Sequence, residues 1–368
     1  MRVSAVEAIP VVVATDRPFS SSLGTFDAAK AGIVRVRTDE GIEGVGEIAM
    51  LWYGGGSALC HDVNTRLGPA LVGQDPLNIV RLHSRLEELC QFGYHTNPVR
   101  AAFDMAFYDI LGKTLRTPVY SLIGGKARER IDLSMSVHMA PYDEMLAQTA
   151  QFLEAGFRTV KVKVGIDRDA DLKIVRGIRD RFGDALNIRV DANMGWQGPK
   201  EALDMIRRLD ESRILSVEQP LPPQNLEGLA LIRAHSPVPV MVDESVWSPG
   251  DAWRVVQAGA ADIINVYVAE TGGIYPSLKI FHLAELAGIE CAIGSMPEFG
   301  FGTAAQAHLG VAAPVLRHPS DVAGVLYQND DLIVSPLRIE DGYAYPPENP
   351  GLGVEADWEK IEFYRVRE

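Results

Sequence analysis

From residue 131 onward the chain repeats one theme: a short run rich in β-branched residues, then an amphipathic stretch of helical period, roughly every 25 residues. Strands are expected at Ile131–His138, Thr159–Val164, Asn187–Asp191, Ile214–Glu218, Val240–Asp243, Ile263–Tyr267, Glu290–Gly294 and, more weakly, Asp321–Val325. Gly156, Gly259 and Gly288 stand where a helix would end before the next strand. Repeated βα units predict a parallel sheet, and about eight of them predict a closed barrel. An open doubly wound sheet ranks below this, because no GxGxxG follows a strand in the place that fold would need it.

The residues before 131 read differently. Val3–Val13, Ala31–Arg37 and Gly44–Ile48 have the alternation of antiparallel strands, with "TDEGIEG" (38–44) as a hairpin turn. "DRPFSSSLGTFD" reads as a mobile loop, and "MLWYGGGS" as a second loop, with Trp52 and Tyr53 beside three glycines. Residues 58–123 have helical period; one helix opens at Asn97-Pro98, a cap followed by proline at the first helical position. After residue 326 the pattern dissolves into turns and aromatics, expected to run back over the N-terminal piece. The division expected is 1–125, 126–325 and 326–368.

Composition narrows the function. Net charge is −14, from 49 acidic and 35 basic residues, so there is no basic excess to neutralise phosphates and nucleic acid is excluded as the main partner. No apolar run approaches the roughly 20 residues needed to span a bilayer, so no membrane partner is expected. The three cysteines, Cys60, Cys90 and Cys291, are widely spaced and form no CxxC, which fits a reduced, cytoplasmic setting and no zinc site.

The charged residues at the strand ends carry the chemistry. "TVKVKV" (159–164) puts Lys161 and Lys163 on one face, since side chains two apart share a side of a strand. Lys163, Asp191, Glu218 and Asp243 then end four consecutive barrel strands, 28, 27 and 25 residues apart. Successive strand ends converge on the C-terminal mouth of a barrel. Three carboxylates there repel one another and lose solvation, a conflict a hard divalent cation resolves. An all-oxygen set with no nearby Cys or His favours Mg²⁺ or Mn²⁺. A lysine facing that ion is disfavoured as an ammonium and can serve as a base near neutrality. Base plus metal implies removal of the proton next to a carboxylate, giving an enediolate.

The series "TVKVKVG", "VDANMGW", "SVEQPL", "MVDES" and "AETGGI" resembles the motifs of the enolase superfamily. The KxK form and the aspartate of the fifth strand are similar to the muconate lactonizing enzyme subgroup of the mandelate racemase/muconate lactonizing enzyme family. "AAFDMAFYDILGKTLRTPVYSLIGG" resembles that family's linker from capping domain to barrel. The resemblance covers nearly the whole chain. It implies a (β/α)7β TIM-like barrel with an α+β N-terminal capping domain completed by the C-terminal segment. It further implies Mg²⁺ (or Mn²⁺) on Asp191, Glu218 and Asp243, Lys163 as the base, and Lys161 as a neighbour that tunes it or contacts the substrate carboxylate. Asn193 and Glu244 would support the metal shell. Phe19, Trp52 and Tyr53, from the capping loops, together with His138 and Glu298 at strand ends, are candidates to touch a small carboxylic acid substrate. A homo-oligomer is expected.

One departure bears on the reaction. The subgroup usually carries a second lysine at the end of the sixth strand, where this chain has Tyr267 in "IINVYVAETGGI"; Glu270 stands where a later lysine is often found. An ordinary tyrosine, with a pKa near about 10, is a poor base at neutrality but a usable acid. One-base chemistry is therefore expected, with Lys163 removing the α-proton and a β-hydroxyl leaving. The alternative is a racemase, epimerase or cycloisomerase with Tyr267 as second acid/base. A reading from another class is a metal-dependent binding protein without turnover. Sugar acids, hydroxy acids, amino-acid derivatives such as hydroxyprolines, and dipeptides all suit the machinery.

Overall fold

The computed structural model describes residues 1–51, 54–90 and 94–367. Strands β1 (Val3–Ser21), β2 (Gly24–Thr38) and β3 (Glu43–Ile48) form an antiparallel sheet in that order. "DRPFSSSLGTFD", expected as a mobile loop, is instead the far end of the β1–β2 hairpin. Phe19 lies opposite Phe26, Ser20 opposite Thr25 and Ser21 opposite Gly24, beyond an irregularity between Ala14 and Phe19. Cross-strand pairs hold this polar tip together: the Ser20 and Thr25 hydroxyls are 2.9 Å apart. The tip also reaches the barrel. Met139 N–H donates to Ser20 O at 3.0 Å, and Ser22 Oγ donates to Asn193 O at 3.1 Å.

Behind the sheet lies the helix Asn97–Leu115, with Pro98 in its first turn and Arg116 ending it in the left-handed region at φ 54°. A Cβ on Gly44 would sit 2.1 Å from Ala106 O, and one on Gly46 1.9 Å from Ala102 O. Only glycine lets strand and helix backbones come this close.

The chain next contributes β4 (Ile131–Asp132) to a small sheet with β12 (Ile339–Glu340) and β13 (Tyr343–Ala344), in the order β12-β13-β4. The strand expected over Ile131–His138 is thus divided, because its first residues pair with the C-terminal segment. The parallel sheet consists of β5 (Met135–Val137), β6 (Thr159–Lys163), β7 (Asn187–Asp191), β8 (Ser216–Glu218), β9 (Val240–Val242), β10 (Ile263–Val266) and β11 (Glu290–Ile293), side by side in chain order. Asp321–Val325 is not a strand; 324–327 is a 3₁₀ turn. Residues 315–321 instead bridge the two edges irregularly. Cys291 N–H donates to Val315 O and Asp321 N–H to Ile293 O on one side, and Ser134 N–H to Ser320 O on the other. Pro314 just before this stretch and Pro319 within it lack the N–H groups a regular ladder needs.

One core fills the barrel and runs under the helix Asn97–Leu115. A second joins Ile9, Val11 and Ile33 to Phe299, Phe301, Leu332 and Ile361. Here the chain's end returns to β1: Val366 N–H donates to Pro10 O at 2.8 Å. Carboxylates of the N-terminal part cap barrel helices. Glu47 on β3 accepts from Phe299 N–H and Gly302 N–H, both at 2.9 Å, at the start of the helix Gly300–Ala312. Asp104 accepts from Ile274 N–H at 2.5 Å, opening the helix Ile274–Ala287, and pairs with His83. These bonds satisfy orphan N–H groups with carboxyl oxygens at the positive helix ends, locking the layers around the mouth.

Candidate active site

Period-two alternation sends every second residue of β6 to β10 into the barrel. The register aligns Lys161 with Arg189 and Lys163 with Asp191, then Arg189 with Ser216 and Asp191 with Glu218. Two inward layers start from β6 and β7: Lys161 and Arg189 below, Lys163 and Asp191 at the C-terminal mouth. The register steps from strand to strand, pairing Glu218 with Met241, and Glu218, Asp243 and Tyr267 complete the mouth at the ends of β8, β9 and β10. One carboxylate oxygen from each of Asp191, Glu218 and Asp243 lies within 4.8 Å of the others, and all three residues are buried.

The cations in this layer pair is spoken for. Arg189 donates to Glu218 Oε2 at 2.8 Å and to Pro319 O at 2.7 Å, with Asp321 at 3.3 Å. Lys161 Nζ donates to Asp321 Oδ2 at 2.5 Å and lies 3.6 Å from Glu218 and 3.8 Å from Asp191. Burial disfavours the Lys161 ammonium, but those three carboxylates outweigh it and raise its pKa, so Lys161 stays charged. Burial likewise pushes the Glu218 carboxyl up, and Lys161 and Arg189 more than reverse this. Lys163 Nζ donates to Asp191 Oδ2 at 2.6 Å and to Asn193 Oδ1 at 3.0 Å.

Asp243 pairs with no such cation among the described residues. Burial first, then the charges of Glu244, Glu270, Glu218 and Asp191, push it well above the carboxylate range. Glu244 next to it is pushed up to about 7 by burial and Asp191, against a 3.0 Å bond from the Asn193 amide; its Oε2 has no hydrogen-bond partner among the described residues. Three converging buried oxygens, one of them on a carboxylate the protein leaves uncompensated, make a donor set that suits a hard divalent cation such as Mg²⁺.

Tyr267 follows β10, on the far side of the ring from β6. Its hydroxyl donates to Asp243 Oδ2 at 3.1 Å. Burial, and then the Asp243 charge, push the phenol well above its ordinary value. The ring lies against Gly294 beyond β11: a Cβ there would meet Tyr267 Cε2 at 1.9 Å.

The cavity above these groups is small, about 50 Å³ by the volume open to the centre of a water molecule. Phe19 from the hairpin tip lines it, 5.8 Å from Lys163 Nζ, as do Asn193, Glu244 and Glu270. His138 stands behind the wall, its ring 4.0 Å from that of Phe19. Burial and then the Lys163 charge lower its pKa to about 3, so it stays neutral. Glu298 is also withdrawn. Its Oε2 accepts from Ser295 Oγ at 2.5 Å and Met296 N–H at 3.1 Å, and it neighbours Glu47 rather than the cavity. Trp52 and Tyr53 lie outside the described residues.

Arg189, Asp321 and Gln219 escape the sequence reading. Arg189 is two residues before Asp191, on the face opposite to Ile188 and Val190, and that parity signals it. Gln219 sets the turn after β8: its Oε1 accepts from Asp243 N–H at 2.8 Å, and its Nε2 donates to Leu221 O and Ser245 Oγ. Asp321 leaves no local signal, because its partners lie on β6 and β7.

The family model described as "Mandelate racemase / muconate lactonizing enzyme, N-terminal domain" matches residues 5–124, and that described as "Enolase C-terminal domain-like" matches residues 144–360. The N-succinyl-L-Arg/Lys racemase of Bacillus cereus is 32% identical over 365 residues, covering 98% of this chain and 97% of its own. The structure of muconate lactonizing enzyme from Pseudomonas fluorescens complexed with muconolactone superposes with a TM-score of 0.94 at 31% identity, over 99% of both chains. That of the dipeptide epimerase from Enterococcus faecalis, complexed with Mg and the dipeptide L-Leu-L-Tyr, does so at 0.90 and 30% identity, over 96% of this chain and 100% of the other. No helix among the described residues is long and apolar enough to cross a membrane. With both halves matched and the acidic triad at the mouth, this chain belongs to the mandelate racemase / muconate lactonizing enzyme family of the enolase superfamily and is one of its enzymes.

Proposed function

We propose that this protein removes the α-proton of a small carboxylic acid with Lys163 and then eliminates a β-hydroxyl as water, an acid dehydratase. Asp191, Glu218 and Asp243 would hold Mg²⁺, which when bound supplies electrostatic stabilisation of the charge developing on the substrate carboxylate. Lys163 Nζ takes the α-proton. The ammonium formed is held by Asp191 Oδ2 and Asn193 Oδ1. The α–β double bond forms as the β C–O bond breaks, and the same ammonium returns its proton to the departing hydroxyl. Lys161, bound to Asp321, stays charged and contributes field rather than proton transfer. The hairpin tip, tied to the barrel through Ser20 and Ser22, helps keep water out.

The observation that carries this reading is the state of Tyr267. Its hydroxyl donates to Asp243, and burial pushes the phenol well above its ordinary value, which supports Lys163 as the single base. The names of the relatives favour a second reading, an isomerase in which Tyr267 donates the proton that completes inversion. Solvent-deuterium exchange at the α-carbon, with Mg²⁺ and a panel of hydroxy acids, sugar acids and amino-acid derivatives, separates the two. Dehydration predicts product lacking the β-oxygen, a roughly 10²–10⁴-fold rate loss in Lys163→Ala, and retained exchange in Tyr267→Phe. Inverted, deuterated substrate as the sole product, lost in Tyr267→Phe, would establish the isomerase instead.

A further inference from the structure

Glu270 has no part in the chemistry above, yet it is a buried acidic residue in the wall of the cavity. It lies on the single helical turn Val268–Thr271 after β10, is 3% exposed, and shares the cavity wall with Tyr267 three residues earlier. Its backbone O is anchored by Asn97 Nδ2 at 2.5 Å, which fixes where the side chain starts. Among the described residues its Oε2 has no hydrogen-bond partner. The charges that bear on it most are those of Glu244 and Glu298, both acidic. The cations of this cavity are engaged elsewhere, Lys161 by Asp321, Lys163 by Asp191 and Arg189 by Glu218.

A buried carboxylate costs several kcal/mol or more unless a cation or strong donors meet it. We propose that Glu270 is the recognition site for a substrate ammonium, so that the acid turned over is a compact amino acid bearing its nitrogen near the reacting carbon. The inference rests on the enolisation reading above. Position supports it: Glu244, the strongest charge on Glu270, is bonded to Asn193, which also accepts from Lys163. The site for the positive nitrogen therefore shares one cavity with Lys163, Asn193 and Glu244. A second divalent ion is a poorer occupant. Such an ion needs about six oxygen ligands, and among the described residues the only group of three or more metal-competent side chains is Asp191, Glu218 and Asp243. The small cavity restricts the substrate to a compact one.

The test compares amino acids with their des-amino counterparts in the Mg²⁺-loaded enzyme: serine and threonine of both configurations, and hydroxyprolines against hydroxycyclopentane carboxylates. Binding is followed by calorimetry and α-deuteration by mass spectrometry. The wild type should prefer the amino member of a pair. Glu270→Gln, an isosteric change whose folding is checked by melting temperature, should cut that preference by about 30-fold or more, chiefly in KM. Glu270→Asp should restore part of it. A preference for des-amino acids in the wild type, or one unchanged in Glu270→Gln, would overturn the proposal. So would two Mg²⁺ per chain in the wild type falling to one in Glu270→Gln. Lys163→Ala keeps the two readings apart. If it abolishes exchange on every acid while Glu270→Gln leaves the preference intact, enolisation stands and the ammonium site falls.

Discussion

Gly294 and Tyr267 form a matched pair of small and large. The glycine leaves a hollow that the tyrosine ring fills, and the ring's position carries its hydroxyl to Asp243. Gly294→Ala should therefore destabilise the protein by about 1–3 kcal/mol in urea unfolding, through overpacking. Adding Tyr267→Leu should recover part of that loss, and full stability in Gly294→Ala alone would show that the ring is not seated there. Arg189 presents the opposite case, a fully buried charge held by Glu218, Asp321 and Pro319 O. Arg189→Met leaves two buried carboxylates short of a partner. It should cost about 3–5 kcal/mol, measured in the same way.

Among the elements, the contact of β3 with the helix Gly300–Ala312 has a pH dependence. Burial first, and then Glu298, raise the Glu47 pKa from 4.5 to about 8, against the two backbone N–H groups that favour the anion. Between those values the folded state keeps a proton that the unfolded chain has released. Stability therefore falls as pH rises through this window, and Glu47's contribution is most favourable below it. Glu47→Gln should flatten the decline of melting temperature between about pH 5 and pH 8; an unchanged slope would remove Glu47 as its source. The strand elements were legible where the alternation is local: the cores of β6 to β11 lie within the expected ranges. The hairpin tip was not, because Ser, Gly and Asp have loop character and only pairing along β1 and β2 makes that stretch a strand.

For the whole molecule, the barrel mouth gathers more negative charge than its cations offset. Metal bound there should stabilise the fold by mass action, by about 2.7 kcal/mol at a free Mg²⁺ concentration 100 times Kd. Chelation with EDTA should lower the melting temperature, and Mg²⁺ should restore it in the wild type but far less in Asp243→Asn. Equal melting with and without Mg²⁺ would mean that the triad does not hold the ion.

What the sequence determined by itself was the set of inward residues. Alternation along a strand is a local property of the backbone, so Lys163, Asp191, Glu218 and Asp243 could be placed on one mouth from spacing alone, with Lys161 on the face of Lys163. What only the tertiary structure decided was partnership. Asp321 meets Lys161 across 160 residues of chain, and Glu47 caps a helix 252 residues away. The closure of the ring by the irregular segment 315–321 is equally non-local. No periodicity records such contacts, because they arise from the close packing of layers that meet only once the chain is folded. The same packing set the Tyr267 hydroxyl against Asp243 and left Glu270 Oε2 buried with no hydrogen-bond partner among the described residues.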